Sequence, residues 1–216
     1  MSPQRLSLHF SNHLNSDIMN TQSRAFLFLA DGFEITEAMA PADILVRGGI
    51  ELNTISISDS HIVTSAQRIS VNAEFTLDEY PLNDIRTEDI MIFPGGMPGS
   101  TNLAACAPLV NRMQRHYAEG GTVAAICAAP AVVLSLLPLE ETVRARGGLK
   151  MTCYEGFEPY LTAKGVTVVD QRQGVVADAG IISASGAGHA VDFGLKILEL
   201  ISGEGTARKI AQAIML

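Results

Sequence analysis

Three stretches of the chain set reactive or polar groups among residues small enough to expose them. In Ala124-Ala125-Ile126-Cys127-Ala128-Ala129-Pro130 a cysteine stands between an apolar run and a segment of helical character. That is the logic of a nucleophile elbow, with alanines where the serine version carries glycines. At such a turn the sulfur would project into a crevice beside a helix N-terminus, whose free N–H groups favour thiolate over thiol. A buried cysteine acting as a small hydrophobe accounts for the same residues. In Pro94-Gly95-Gly96-Met97-Pro98-Gly99 the glycines would let backbone N–H groups approach an oxyanion or carboxylate closely, or simply make a turn. No Gly-Lys-Ser/Thr follows, so the stretch is not a phosphate loop. Third, Glu34 and Glu37 open a helical segment. A carboxyl at Glu37 buried beside a thiolate would be pushed toward its protonated form and could donate a proton; an acid complementing a helix N-terminus is the plainer reading.

Positioning these groups requires strands that end where they stand. Ala25 to Ala30 reads as a buried strand closed by Asp31-Gly32, followed by a helix over Glu34 to Arg47 that stops at Gly48-Gly49. A second strand spans Glu51 to Ile57, and His61 to Thr64 with Arg68 to Val71 suits a hairpin near a sheet edge. Ile90 to Phe93 reads as a strand, Pro108 to Ala118 as a helix, Thr122 to Ile126 as a strand and Ala128 to Leu137 as a helix. Then come a short strand over Lys150 to Thr152, a pair formed by Val166 to Val169 with Val175 to Ala177, a strand at Ile181 to Ala184 and a helix at Ala190 to Ile201. Alternating strands and helices predict a mostly parallel sheet covered on both faces. Its functional crevice lies beyond the carboxyl ends of the strands, so the turns at Asp31-Gly32, Pro94-Gly95-Gly96, Cys127 and Gly186 should converge.

The bulk properties narrow the function classes. At 216 residues, 47% hydrophobic and 18% charged, the chain fits one globular domain over residues 24–216. Residues 1–23 read as a poorly structured tail, within which Met19 is an alternative start. The net charge of -8, without a dense basic run, argues against nucleic acid as a partner. Three scattered cysteines, Cys106, Cys127 and Cys153, form neither a disulfide framework nor a zinc knuckle, and free thiols suit the cytoplasm. Thr122 to Leu139 is uncharged but is interrupted by Pro130 and Pro138, so no membrane span is expected. His61 and His116 are expected at exposed positions without metal-ligand spacing, and no metal site is expected.

Together Asp31-Gly32-Phe33-Glu34-Ile35-Thr36-Glu37, Pro94-Gly95-Gly96, Ala125-Ile126-Cys127-Ala128-Ala129-Pro130 and Ser185-Gly186-Ala187-Gly188 resemble the DJ-1/PfpI (ThiJ/PfpI) superfamily, and within it the DJ-1/YajL-like branch. The resemblance runs from about Ala25 to the C-terminus. It implies a flavodoxin-like three-layer α/β sandwich, a homodimer, and a readily oxidised nucleophile Cys127 paired with a protonated Glu37. The N–H groups of Gly96 and Ala128 would be the oxyanion donors. Ala128 stands where the protease-like branch has a histidine, which argues against a Cys-His proteolytic pair. Tyr154 occupies a segment in which the branch's namesake has a histidine and is an auxiliary candidate. His189 either approaches the crevice or caps the next helix, and Cys153 is either a second thiol able to pair with Cys127 or a core residue. Arg47 and Arg68 match positions near the dimer interface of relatives.

The activity implied is a glutathione-independent glyoxalase or deglycase acting, without a cofactor, on methylglyoxal-type aldehydes or their adducts, with a role in oxidative-stress protection. The alternatives are a non-catalytic redox sensor or chaperone based on oxidation of Cys127, and an amidase or peptidase if an imidazole stands beside that thiol.

Overall fold

The structure, a computed structural model, describes residues 23–216. The expected tail and the alternative start at Met19 therefore lie outside the described residues, Ser23 apart. In chain order the elements are β1 (Ala25–Leu29), α1 (Ile35–Arg47), β2 (Leu52–Ser56), β3 (Ile62–Thr64), β4 (Ser70–Asn72), β5 (Phe75–Thr76), β6 (Ile90–Phe93), α2 (Gly99–Ala105), α3 (Ala107–Ala118) and β7 (Thr122–Ile126). They continue with α4 (Ala129–Val132), α5 (Leu139–Arg146), β8 (Lys150–Met151), α6 (Glu158–Thr162), β9 (Thr167–Val168), β10 (Val175–Asp178), β11 (Ile181–Ala184), α7 (Ala190–Ser202) and α8 (Glu204–Ala213).

The main sheet has the order β10-β11-β7-β6-β1-β2-β5, parallel throughout except for the antiparallel pair of β10 with β11. Its inner strands are continuous apolar runs because both faces are covered. Phe26, Phe28, Met91, Phe93, Val123 and Ala125 meet α2 to α6 through Leu103, Leu109, Met113, Leu139 and Leu161. Leu27, Leu29, Ile92, Ala124 and Ile126 meet α1, α7 and α8 through Leu45, Phe193, Ile197 and Ile210. This is the expected flavodoxin-like sandwich of three layers. The order reverses between β1 and β6, which sets a crevice at their carboxyl ends.

At the opposite end of the sheet, Asp89 is fully buried just before β6. It accepts hydrogen bonds from the main-chain N–H groups of Arg24 (2.9 Å) and Arg86 (2.7 Å) and pairs with both guanidinium groups. Burial would raise its carboxyl, but these bonds outweigh it and hold it at about 2.

Four expectations of local structure are corrected. The helix expected over Ala128 to Leu137 is cut to α4 and a 3-10 turn over Leu134–Leu136. Ala131, Val133, Leu134, Leu137 and Leu139 are all buried. Their directions spread round a helix, so a straight one could not bury them together. Val166 to Val169 does not pair with Val175 to Ala177; β9 joins β8 in a separate parallel pair, and β10 joins β11. The β3–β4 hairpin forms its own two-stranded sheet. It leans on the β1–α1 turn, where the Gly32 N–H donates to Thr64 O (2.8 Å) and the Thr64 N–H to Asp31 Oδ1 (2.7 Å). Finally, His116 is wholly buried, with Nε2 3.1 Å from Thr122 O, and packs so tightly on Gly121 that a Cβ there would lie 2.4 Å from its ring. No helix among the described residues is long and apolar enough to cross a membrane.

Candidate active site

Cys127 follows directly on β7 and has a positive φ of 65°. For a residue with a Cβ this left-handed conformation costs roughly 1–2 kcal/mol, so its neighbours must hold it. They do so through the main chain, since the Cys127 N–H donates to Ala184 O (2.9 Å) and the Tyr154 N–H donates to Cys127 O (2.8 Å). The elbow expected from the small residues is thus a strained turn tied to β11 and to the segment after β8.

Glu37 reaches the same point from the first turn of α1 and is 1% exposed. Its carboxyl accepts the Gly95 N–H at 3.0 Å to Oε2 and faces the Cys127 thiol and the Ala187 N–H. The N–H groups of Gly96 and Ala128 face the Cys127 sulfur and favour its charged form. The turns after β1, β6, β7 and β11 therefore converge as the topology requires. Glycine is obligatory in the second of them. A Cβ on Gly95 would lie 2.4 Å from Glu37 Oε2 and 2.6 Å from Cys127 Cβ, closer than real Cβ atoms come. Gly96 has a φ of +88°, and a Cβ there would meet the Glu34 nitrogen at 2.5 Å.

The electrostatics follow from burial. Loss of solvent, reinforced by the negative charge of Glu34, pushes the Glu37 carboxyl up to about 7 against its hydrogen bonds. Loss of solvent and the neighbouring Glu37 push the Cys127 thiol up to about 12. The expectation that a helix N-terminus would hold Cys127 as a free thiolate is therefore corrected: α4 has only four residues, and its N–H groups do not outweigh burial beside an acid. As pH rises through about 7 the pair loses its first proton, and in the singly protonated pair the thiolate form requires the remaining proton to sit on Glu37.

The auxiliary candidates separate. Tyr154, a residue 52% exposed, flanks the site through its main chain, and its ring lies beside Gly186. His189 precedes α7 as its capping residue but makes no side-chain capping bond. Its ring packs on Gly174 and its Nδ1 lies 3.7 Å from Asp192 Oδ2. Among the described residues no histidine is found hydrogen-bonded to Cys127, so His189 does not enter the cluster. Cys153 is fully buried in the core on the α3 face, whereas Cys127 packs against the core on the α1 face; both are free thiols. Sequence reasoning missed the Gly95 N–H as the donor to the carboxyl and the Ala187 N–H that faces it. The signal was present in the doubled glycine and in the short residues after β11.

The model of the DJ-1/PfpI family matches residues 23–200. Among curated proteins the chain is similar to Protein DJ-1 homolog B of Arabidopsis thaliana, with 29% identity over all of this chain and 47% of that protein. It is also similar to Glutathione-independent glyoxalase DJR-1.2 of Caenorhabditis elegans, with 29% identity over 92% of this chain and 99% of that one. The chain spans about half the length of the two Arabidopsis relatives, 47% and 45%. Among solved structures it resembles Drosophila melanogaster DJ-1beta, with a TM-score of 0.78 and 26% identity over 90% of this chain and 98% of that chain. Oxidised Toxoplasma gondii DJ-1 gives a TM-score of 0.77 and 28% identity over 89% of this chain and 98% of that chain. With its sheet, its elbow and a family match over most of its length, the chain belongs to the DJ-1/PfpI family.

Proposed function

We propose that this protein is a cysteine-dependent, glutathione-independent glyoxalase acting on methylglyoxal-type α-oxoaldehydes, or a deglycase acting on their thiol and amine adducts. The observation that carries the reading is the Cys127 sulfur set between the Glu37 carboxyl and the N–H groups of Gly96 and Ala128. As the sulfur attacks the aldehyde carbon, Glu37 takes the thiol proton and the two N–H groups stabilise the new alkoxide as a hemithioacetal forms. Glu37 next moves the proton of the former aldehyde carbon to the adjacent ketone carbon by way of an enediol. The ketone becomes an alcohol, and the aldehyde carbon becomes a thioester on Cys127. Water hydrolyses that thioester, releasing the 2-hydroxy acid and restoring the thiol. One carbon is oxidised and its neighbour reduced, so no cofactor is required. The C. elegans relative bears a glyoxalase name, which supports the reading.

The test is turnover. Wild type is expected to convert many equivalents of methylglyoxal to lactate without glutathione, while Cys127→Ser loses at least a hundredfold of that rate and Glu37→Gln a similar factor. Lactate formation at background in the wild type would overturn the proposal. A redox sensor or chaperone that protects against oxidative stress is the second reading. It is favoured by N–H donors able to hold sulfinate oxygens and by the similarity to oxidised Toxoplasma gondii DJ-1. Among the described residues no imidazole stands beside Cys127 to support the amidase reading. The working form proposed is a cytoplasmic homodimer with small aldehydes as partners, and with neither nucleic acid nor membrane.

A further inference from the structure

Glu34 is joined to the reactive pair by a closed circuit of hydrogen bonds. Its carboxylate Oε2 accepts the Glu37 N–H at 2.7 Å, capping α1. Its own N–H donates to Gly95 O at 3.0 Å, and the Gly95 N–H returns to Glu37 Oε2 at 3.0 Å. The same side chain therefore sets the first turn of α1, locks that turn to the glycine loop, and brings a second carboxylate close to Glu37. Capping alone would be served as well by an uncharged acceptor such as serine or asparagine. We propose that Glu34 is a positioning residue for the Cys127–Glu37 pair, whose charge biases the pair's shared proton toward Glu37 and so increases the thiolate fraction of Cys127.

The bias follows from which group each charge touches. Glu34 accepts a hydrogen bond from Glu37 itself and its charge acts on the Glu37 carboxyl, whereas the charged neighbour acting on Cys127 is Glu37. A negative charge on Glu34 disfavours ionised Glu37 more than it disfavours ionised Cys127. The groups set against the Glu37 carboxyl are Cys127 at the start of α4, Glu34 on its own helix, and the uncharged N–H groups of Gly95 and Ala187. Among the described residues Glu34 is thus the charged one in that set besides the pair itself, with no cation there to offset it. The inference rests on the reading of Glu37 as the proton partner of Cys127.

The experiment is the rate of iodoacetamide alkylation at Cys127, followed on its own peptide in the full chain across about pH 5 to 9. In the wild type the rate should rise as the pair loses its first proton and then level off. Glu34→Gln keeps an oxygen acceptor for the Glu37 N–H and removes the charge. It is expected to lower the midpoint by about half a pH unit and the plateau about threefold, the same bias seen twice. Glu34→Asp, which keeps the charge, should restore both. A Glu34→Gln curve that superimposes on the wild type, with only the melting temperature altered, would make Glu34 a helix cap and sink the inference. Glu37→Gln separates the two levels. If it abolishes the step while Glu34→Gln does not move it, only the role of Glu34 fails. If Glu37→Gln leaves the curve unchanged, the reading of Glu37 fails and takes this inference with it.

Discussion

Glu37 illustrates a residue kept where stability would not place it. A carboxyl raised from 4.5 to about 7 binds its proton more tightly in the folded chain than in the unfolded one. The folded state gains most from that proton below pH 4.5, and the gain is lost as pH rises through about 7. Glu37→Gln cannot ionise, so it should gain stability relative to wild type by about 2–4 kcal/mol between pH 4.5 and 8. Urea denaturation of both proteins at the two pH values measures this, and parallel changes would contradict it. His116 acts with the opposite sign, since burial lowers its pKa and stability is lost as pH falls below its unfolded value of 6.5. It is common to both proteins and cancels in the comparison.

At the scale of elements, the parallel strands carry the reactive turns at one end and are clasped at the other. Asp89 ties the start of β1, through Arg24, to the start of β6, with Arg86 completing the clasp. Asp89→Asn leaves two guanidinium groups facing a neutral amide and should destabilise the fold by about 3 kcal/mol. The alkylation rate of Cys127 should be unchanged in the variant that remains folded, because the clasp lies at the far end of the sheet. A loss of reactivity without a loss of stability would show that the strands transmit the clasp to the elbow. The helices α2, α5, α6 and α8 were not read from the sequence. Leu139 is the one buried residue of α5 and Leu161 that of α6, so neither makes an apolar stripe long enough to register as a helical period.

At the scale of the molecule, the outer face of α1 and the β3–β4 hairpin leave apolar side chains in solvent: Val46 is 59% exposed, Ile62 61% and Ile69 52%. Arg47 and Arg68, expected near an interface, lie on these two elements, and Arg68 is held at a φ of 62° in the hairpin turn. If these surfaces meet in the proposed homodimer, sedimentation should give about twice the 23.0 kDa of one chain. The pair Ile62→Glu and Ile69→Glu should then reduce it to a monomer. A wild-type monomer at micromolar concentration, or a dimer indifferent to both changes, would count against this interface.

The strands of the parallel core, the elbow at Cys127 and the family were legible in the amino-acid sequence, because doubly buried strands write continuous apolar runs and tight turns require small residues at fixed places; the order of the strands in the sheet was not. What the sequence could not carry is the state of the site. That Glu37 is dry and Cys127 half-buried, which N–H groups face them, and that Cys153 and His189 turn elsewhere depend on contacts between residues far apart in the chain. Desolvation and hydrogen bonding are properties of an enclosed volume, and that volume exists only once β1, β6, β7 and β11 stand side by side.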